Sequence, residues 1–221
     1  MPLIACLHTA GSNIAVFDGA LAASGLAAGG VRLRHHVRPG LLRATEAAGV
    51  LTPEIARQAR EALRDLARDA DAVLLTCSSL GPAVEGIAAD APVLRVDAAL
   101  ATEAVRGGGR VVVLCAVPAT LEPTGKLFRA AAQATGATIV VQLVPGAWDL
   151  FTSGDRDGYL RMVAQAADDA AGNAAGGAAG TDVTVVLAQA SMAGAAAMAA
   201  CRPLAGPGVG LRAAAQAAEL R

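Results

Sequence analysis

Aromatic residues are almost missing from this 221-residue chain, which has one Trp, one Tyr and three Phe, and its 18 Lys and Arg are balanced by 19 Asp and Glu. It therefore lacks both the stacking surface and the basic field that nucleic-acid binding requires, and no nucleic-acid partner is expected. Cysteine is sparse: Cys6, Cys77, Cys115 and Cys201 lie 71, 38 and 86 residues apart, with no CxxC pair and no zinc-ligand spacing. A chain of this size does not need disulfide staples, so free thiols are expected. Met1-Pro2 leads straight into an apolar strand pattern, without a basic segment, an apolar leader or a small-residue cleavage site, which predicts a cytoplasmic protein. Long apolar runs are missing too. The uncharged stretches 130–148 and 183–201 are broken by Gly136, Gln142, Pro145, Gln189, Ser191 and Gly194, so they read as buried strands and helices, and no membrane partner is expected.

What is present is a composition 54% hydrophobic and 17% charged, enough for one large or two small packed domains and incompatible with disorder. Short β-branched runs alternate with alanine-rich helical patterns, the signature of βαβ units and a parallel sheet covered on both faces. Strands are expected at 3–8, 31–36, 72–76, 93–96, 111–115, 139–143 and 183–187, with a weak one near Pro203-Leu204. The clearest helix follows Thr52-Pro53-Glu54, an N-cap, a first-turn proline and an acid, with Ile55, Ala59, Leu63, Leu66 and Ala70 on one stripe. Arg57, Arg60, Arg64 and Arg68 then form a solvated face. The later strand set follows the earlier one at offsets of 108, 108, 111 and 111 residues, which suggests two tandem α/β halves, each with a mostly parallel four-stranded sheet. The halves are expected at 1–106 and 107–206, meeting at the Gly107-Gly108-Gly109 run, with a C-terminal helix in 207–221 packing back on the first. Residues 166–182 are low in complexity and read as a fraying helix end and a loop.

In an open parallel sheet, ligands bind at the carboxyl ends of strands. The segments so placed are His8 to Asn13, Thr76 to Pro82, Val117 to Thr120, Gln189 to Ser191 and Gly206 to Gly208. If the halves face each other, Cys77 and Gln189 stand on opposite walls of one cleft. Cys77 ends a buried strand shortly before Pro82, so its sulfur is expected among free backbone N–H groups at a helix start, an environment that lowers a thiol pKa. The same N–H groups, with the Ser78 and Ser79 hydroxyls, would hold a carboxylate. A buried, inert cysteine is the competing reading of the position, and inert packing is expected for Cys6, Cys115 and Cys201. His8 either relays protons at the mouth of the first strand or fills a core position. His35 and His36 point to opposite faces of one strand and cannot share a metal. No HExxH, no carboxylate–histidine cluster and no Walker loop is present, and the glycine runs at 107 and 206 lack a strand-to-helix context, so neither a metal nor a cofactor is expected.

The segments Thr76-Cys77-Ser78-Ser79-Leu80-Gly81-Pro82-Ala83-Val84, Pro92-Val93-Leu94-Arg95-Val96-Asp97, Thr120-Leu121-Glu122-Pro123-Thr124 and Leu187-Ala188-Gln189-Ala190-Ser191-Met192-Ala193 together resemble the aspartate/glutamate racemase superfamily. Hydantoin racemase, maleate isomerase and arylmalonate decarboxylase are its more distant members. The resemblance runs from His8-Thr9 to the C-terminal helix. It implies two pseudo-symmetric Rossmann-like halves with an active site in the cleft between them. It also implies catalysis without pyridoxal phosphate or metal, by paired cysteines on opposite faces of a substrate carboxylic acid. Cys77 matches the first thiol, and Ser78 and Ser79 its carboxylate-binding neighbours. Gln189 occupies the place of the second thiol, and Arg38-Pro39 stands where relatives tend to carry an acid.

The resulting expectation is a cofactor-independent racemase or isomerase-type enzyme acting on a small carboxylate, an amino acid or a dicarboxylate. Cys77, Gln189 and Ser191 are its expected catalytic residues; His8, Thr9, Ser12, Asn13, Ser78, Ser79, Thr120 and Ala190 are expected around the substrate. An amide does not exchange protons near neutral pH, so symmetric two-base racemization is not expected. One-thiol decarboxylase, isomerase or lyase chemistry stands beside it, with Ser191, Thr120 or water on the opposite face, and a non-catalytic small-carboxylate-binding protein is the alternative. Alanine-rich surfaces permit a homo-oligomer without identifying an interface.

Overall fold

The structure is a computed structural model that describes residues 1–175 and 183–220. Residues 176–182 of the low-complexity segment lie outside the described residues.

The first compact unit comprises Met1–Ala99 and the C-terminal segment from Pro207. Its chain order is β1 (Leu3–His8), α1 (Asn13–Ser24), β2 (Arg32–Val37), α2 (Pro39–Ala48), α3 (Pro53–Ala67), β3 (Ala72–Leu75), β4 (Val93–Arg95) and the start of α4 (Val96–Val105). The strands pair in the order β2-β1-β3-β4, all parallel. β1 and β3 lie inside the sheet and are almost wholly buried, as β-branched and leucine runs flanked by helices should be. Helix α3 forms as its sequence requires: the Thr52 hydroxyl accepts the Ile55 N–H at 3.3 Å, and Ile55, Ala59, Leu63 and Leu66 are buried. Its arginine face is more than solvated surface. Arg60 Nε donates to the Ala83 carbonyl at 3.0 Å and Arg64 Nε to the Ala88 carbonyl at 3.2 Å, so this face grips the loop after β3.

The second unit spans Leu100–Gly206. It contains β5 (Arg110–Cys115), α5 (Leu121–Ala132), β6 (Thr138–Leu143), α6 (Ala147–Ser153), α7 (Arg156–Ala175), β7 (Val183–Leu187) and the short β8 (Leu204–Ala205). Its sheet is again parallel, in the order β6-β5-β7-β8. The partition falls inside α4, between Ala99 and Leu100, ahead of the glycine run. Gly108 and Gly109 take left-handed φ values of 66° and 69° in a tight turn into β5, a conformation that glycine adopts without strain. α8 (Gly206–Glu219) closes the chain on the first unit, where a Cβ at Gly210 would come within 3.0 Å of Val96. Among the described residues, no helix is long and apolar enough to cross a membrane.

Candidate active site

Thr76 continues β3 into the interior, and the chain then turns at Cys77 into a 3-10 segment, Ser78–Val84. Several contacts hold that segment. The Leu80 N–H donates to the Cys77 carbonyl at 3.2 Å, and Leu80 and Ala83 are fully buried. Gly81 lies against the Arg95 guanidinium, where a Cβ would collide, and Asp97 fixes that guanidinium through bonds of 3.0 and 2.7 Å. Around the half-buried Cys77 the Thr9 hydroxyl, the backbone N–H groups of Leu80 and Ser79, and the Ser79 hydroxyl all reach the sulfur. The expected lowering of the thiol pKa does not follow. Burial pushes the Cys77 thiol up and outweighs these donors. The physical reason is the segment itself: one short 3-10 stretch carries little summed dipole, while loss of water acts on the whole thiolate.

The structure thus brings Thr9 and Ser79 to Cys77. Ser78 begins the same segment and is half-buried; exposed Ser12 and buried Asn13 open α1. Of the two readings of His8, the structure shows the core position. It is fully buried, its Nδ1 lies 2.8 Å from Thr76 Oγ1 and its Nε2 2.8 Å from His35 Nδ1, so neither nitrogen is open to a substrate. Burial, aided by the neighbouring His35, lowers its pKa to about 4. His35 in turn meets Asp18 Oδ1 at 3.1 Å, so a carboxylate–histidine cluster exists where none was expected. Two cavities of about 190 and 510 Å³ lie beside β2, α2 and α3, lined by residues such as Arg38, Ala62 and Asp65, and neither includes Cys77.

In the second unit β7 leads through Ala188 to Gln189 and another 3-10 segment, Ala190–Ala197. The backbone repeats the first site: Gln189 has φ −106° and ψ 145° against −104° and 114° for Cys77, and the Met192 N–H donates to the Gln189 carbonyl at 3.0 Å. The side chain differs. Gln189 Oε1 accepts the Ala116 N–H at 2.8 Å and its Nε2 donates to Thr120 Oγ1 at 2.7 Å, while the Thr120 hydroxyl donates to the Val117 carbonyl at 2.7 Å. Gln189 and Thr120 therefore meet. Ala190 begins the 3-10 segment and brings no reactive group. Ser191 Oγ is paired at 2.9 Å with the hydroxyl of Tyr159, which is fully buried and whose pKa burial pushes up to about 12. Tyr159 was not expected at the site; the available signal was a single tyrosine inside an alanine-rich helical pattern. Among the remaining thiols, Cys6 is raised to about 12 and Cys201 to about 11, each mainly by burial. Cys115 is also raised, again mainly by burial, with the Thr120 and Thr124 hydroxyls opposing.

Two parallel four-stranded sheets of the same order, each with a 3-10 turn after the third strand of its unit, make up a fold that this chain shares with solved aspartate and allantoin racemases. An aspartate racemase from Picrophilus torridus matches it with a TM-score of 0.75 at 12% identity, over 99% of this chain and 95% of that one. An aspartate racemase homologue from Pyrococcus horikoshii gives 0.71 at 12% identity over 99% and 100%, and allantoin racemase from Pseudomonas fluorescens 0.66 at 14% over 99% and 91%. No family model and no curated protein sequence matches the chain.

Proposed function

We propose that the chain is a racemase-superfamily enzyme acting on a small carboxylic acid through one thiol, Cys77, without a cofactor in the reaction. The observation that carries this reading is the difference between two matching strand ends. Cys77 presents a thiol ringed by hydrogen-bond donors, whereas Gln189 presents an amide tied at both oxygen and nitrogen. Inversion by two bases needs a proton carrier at each position, and an amide is not one. With its pKa raised by loss of water, the Cys77 thiol is protonated at neutral pH, the form that delivers a proton. In the proposed step a carbanion or enolate beside the carboxylate takes that proton: the C–H bond forms as the S–H bond breaks. Thr9, Ser79 and the Leu80 N–H hold the resulting thiolate, which regains its proton from water. The carbanion arises by loss of CO₂ from a malonate-type acid or by removal of an α-proton through water. The fold shared with the racemases supports the same class of substrate.

The test is incubation in D₂O with a panel of small amino acids, dicarboxylates and malonates, followed by mass spectrometry. The wild type is expected to place deuterium at the α-carbon of at least one acid. Cys77→Ala is expected to lose that activity while keeping its circular dichroism, and full turnover in Cys77→Ala overturns the reading. The tethered Gln189 also favours a second reading, a carboxylate-binding protein without catalysis. It requires calorimetric binding that survives Cys77→Ser and no proton exchange by the wild type.

A further inference from the structure

We propose that Cys6, His8 and His35 form a binding site for a thiophilic divalent cation of the zinc type, outside the machinery assigned to Cys77. The parallel register of β1 and β2 places Cys6 opposite His35, and His8, two residues along β1, shares the face of Cys6. One ligand atom from each of the three lies within 4.8 Å of the others. A thiol and two imidazoles are the donor set that zinc, cobalt and cadmium select. Cys6 and His8 are fully buried, and His35, with 14% of its side chain exposed, is the way in.

The outer partners argue for the same site. The Thr76 hydroxyl donates to the Leu7 carbonyl at 3.1 Å, so it accepts from His8 Nδ1–H, and this leaves the lone pair of His8 on Nε2, facing His35. Asp18 accepts from His35 Nε2–H, which leaves the lone pair of His35 on Nδ1, facing His8. Two ring nitrogens that face each other at 2.8 Å with their lone pairs directed inward are placed as two ligands of one cation. Hydrogen bonds from the far nitrogens to a hydroxyl and a carboxylate are what metal-bound imidazoles require. A tetrahedral ion with Zn–N bonds of about 2.1 Å keeps its nitrogens about 3.4 Å apart, so the rings need part by only about 0.6 Å from their present 2.8 Å. Binding forms one metal–sulfur and two metal–nitrogen bonds, breaks the Cys6 S–H bond, and releases that proton to solvent, with no change of oxidation state. The Cys6 thiolate and the Asp18 carboxylate then neutralise the doubly charged ion, and its fourth position takes water.

The test uses the full chain, stripped with a chelator and titrated with Co²⁺. One ion per chain, a near-ultraviolet thiolate-to-cobalt charge-transfer band and displacement by Zn²⁺ are expected. Cys6→Ser and His35→Gln are expected to abolish the band, Cys77→Ser and Cys201→Ser to keep it, and Asp18→Asn to keep it while weakening affinity roughly 10- to 100-fold. Absence of the band in the wild type, or binding unaffected by Cys6→Ser and His35→Gln, overturns the proposal. Should Cys6→Ser fail to fold, the half-buried His35 and exposed Asp18 positions still decide the matter.

Discussion

Replacing Thr9 by valine separates the hydrogen bond to the Cys77 sulfur from the shape of its surroundings. Thr9 is 6% exposed, and valine matches its outline, so the chain around Cys77 keeps its course while one donor to the thiolate disappears. A hydrogen bond to a charged group contributes about 1.5 to 3 kcal/mol, so the thiolate population at fixed pH falls roughly ten- to a hundredfold. The remaining thiolate is more basic and more nucleophilic, which restores about half of that loss on a logarithmic scale. The expected net effect is a Cys77 alkylation rate about three- to tenfold lower at pH 8. The assay is iodoacetamide labelling followed by peptide mass spectrometry, with Cys201, half-buried and far along the chain, as the internal standard. A Cys77 rate that is unchanged or faster relative to Cys201 refutes the claim that Thr9 stabilises the thiolate.

Tyr159→Phe removes the bond to Ser191 and is expected to lower stability by about 1 kcal/mol below pH 10. In the wild type, Tyr159 remains neutral in the fold up to about 12. An unfolded tyrosine ionises near 10, so the stability this group supplies is complete below that pH and is lost as pH rises through 12, roughly 3 kcal/mol in all. Urea midpoints measured between pH 9 and 12 should therefore fall less steeply in Tyr159→Phe. Thr52→Ala removes the α3 cap and should cost about 1 kcal/mol in urea denaturation. Gly210→Val places a branched side chain against Val96 and Leu74, and thermal melts should show a loss of about 1 to 3 kcal/mol.

Much of the fold was legible because buried parallel strands advertise themselves. β1 and β7 begin and end where their apolar runs do, and the nearly constant offset between strand sets anticipated two sheets of one order. Boundaries slipped where side chains carry no stop signal: β2 runs on to Val37, and the partition falls within α4 rather than at the glycine turn. The position of Cys77 at a strand end was also legible. The direction of its pKa was not, because that depends on how much water the folded chain excludes, a quantity no local motif records. The Cys6–His8–His35 group was hidden for another reason. Along one strand His35 and His36 only point to opposite faces, whereas the cluster arises across strands, from a register that only pairing defines.

The two strand ends differ in what their side chains do with nearly one backbone. At Cys77 and Gln189 the backbone follows nearly the same path into a 3-10 segment. A thiol is short, and the donors around it remain available for a developing thiolate. The glutamine amide is longer; it consumes the Ala116 N–H and the Thr120 hydroxyl oxygen. Placing cysteine at position 189 would therefore do more than add a thiol. It would strip a partner from the buried Ala116 N–H, at a cost of about 1 to 3 kcal/mol, unless water or a ligand oxygen took its place. The amide is part of the local hydrogen-bond network, and a thiol at this position would need Ala116 and Thr120 to find new partners.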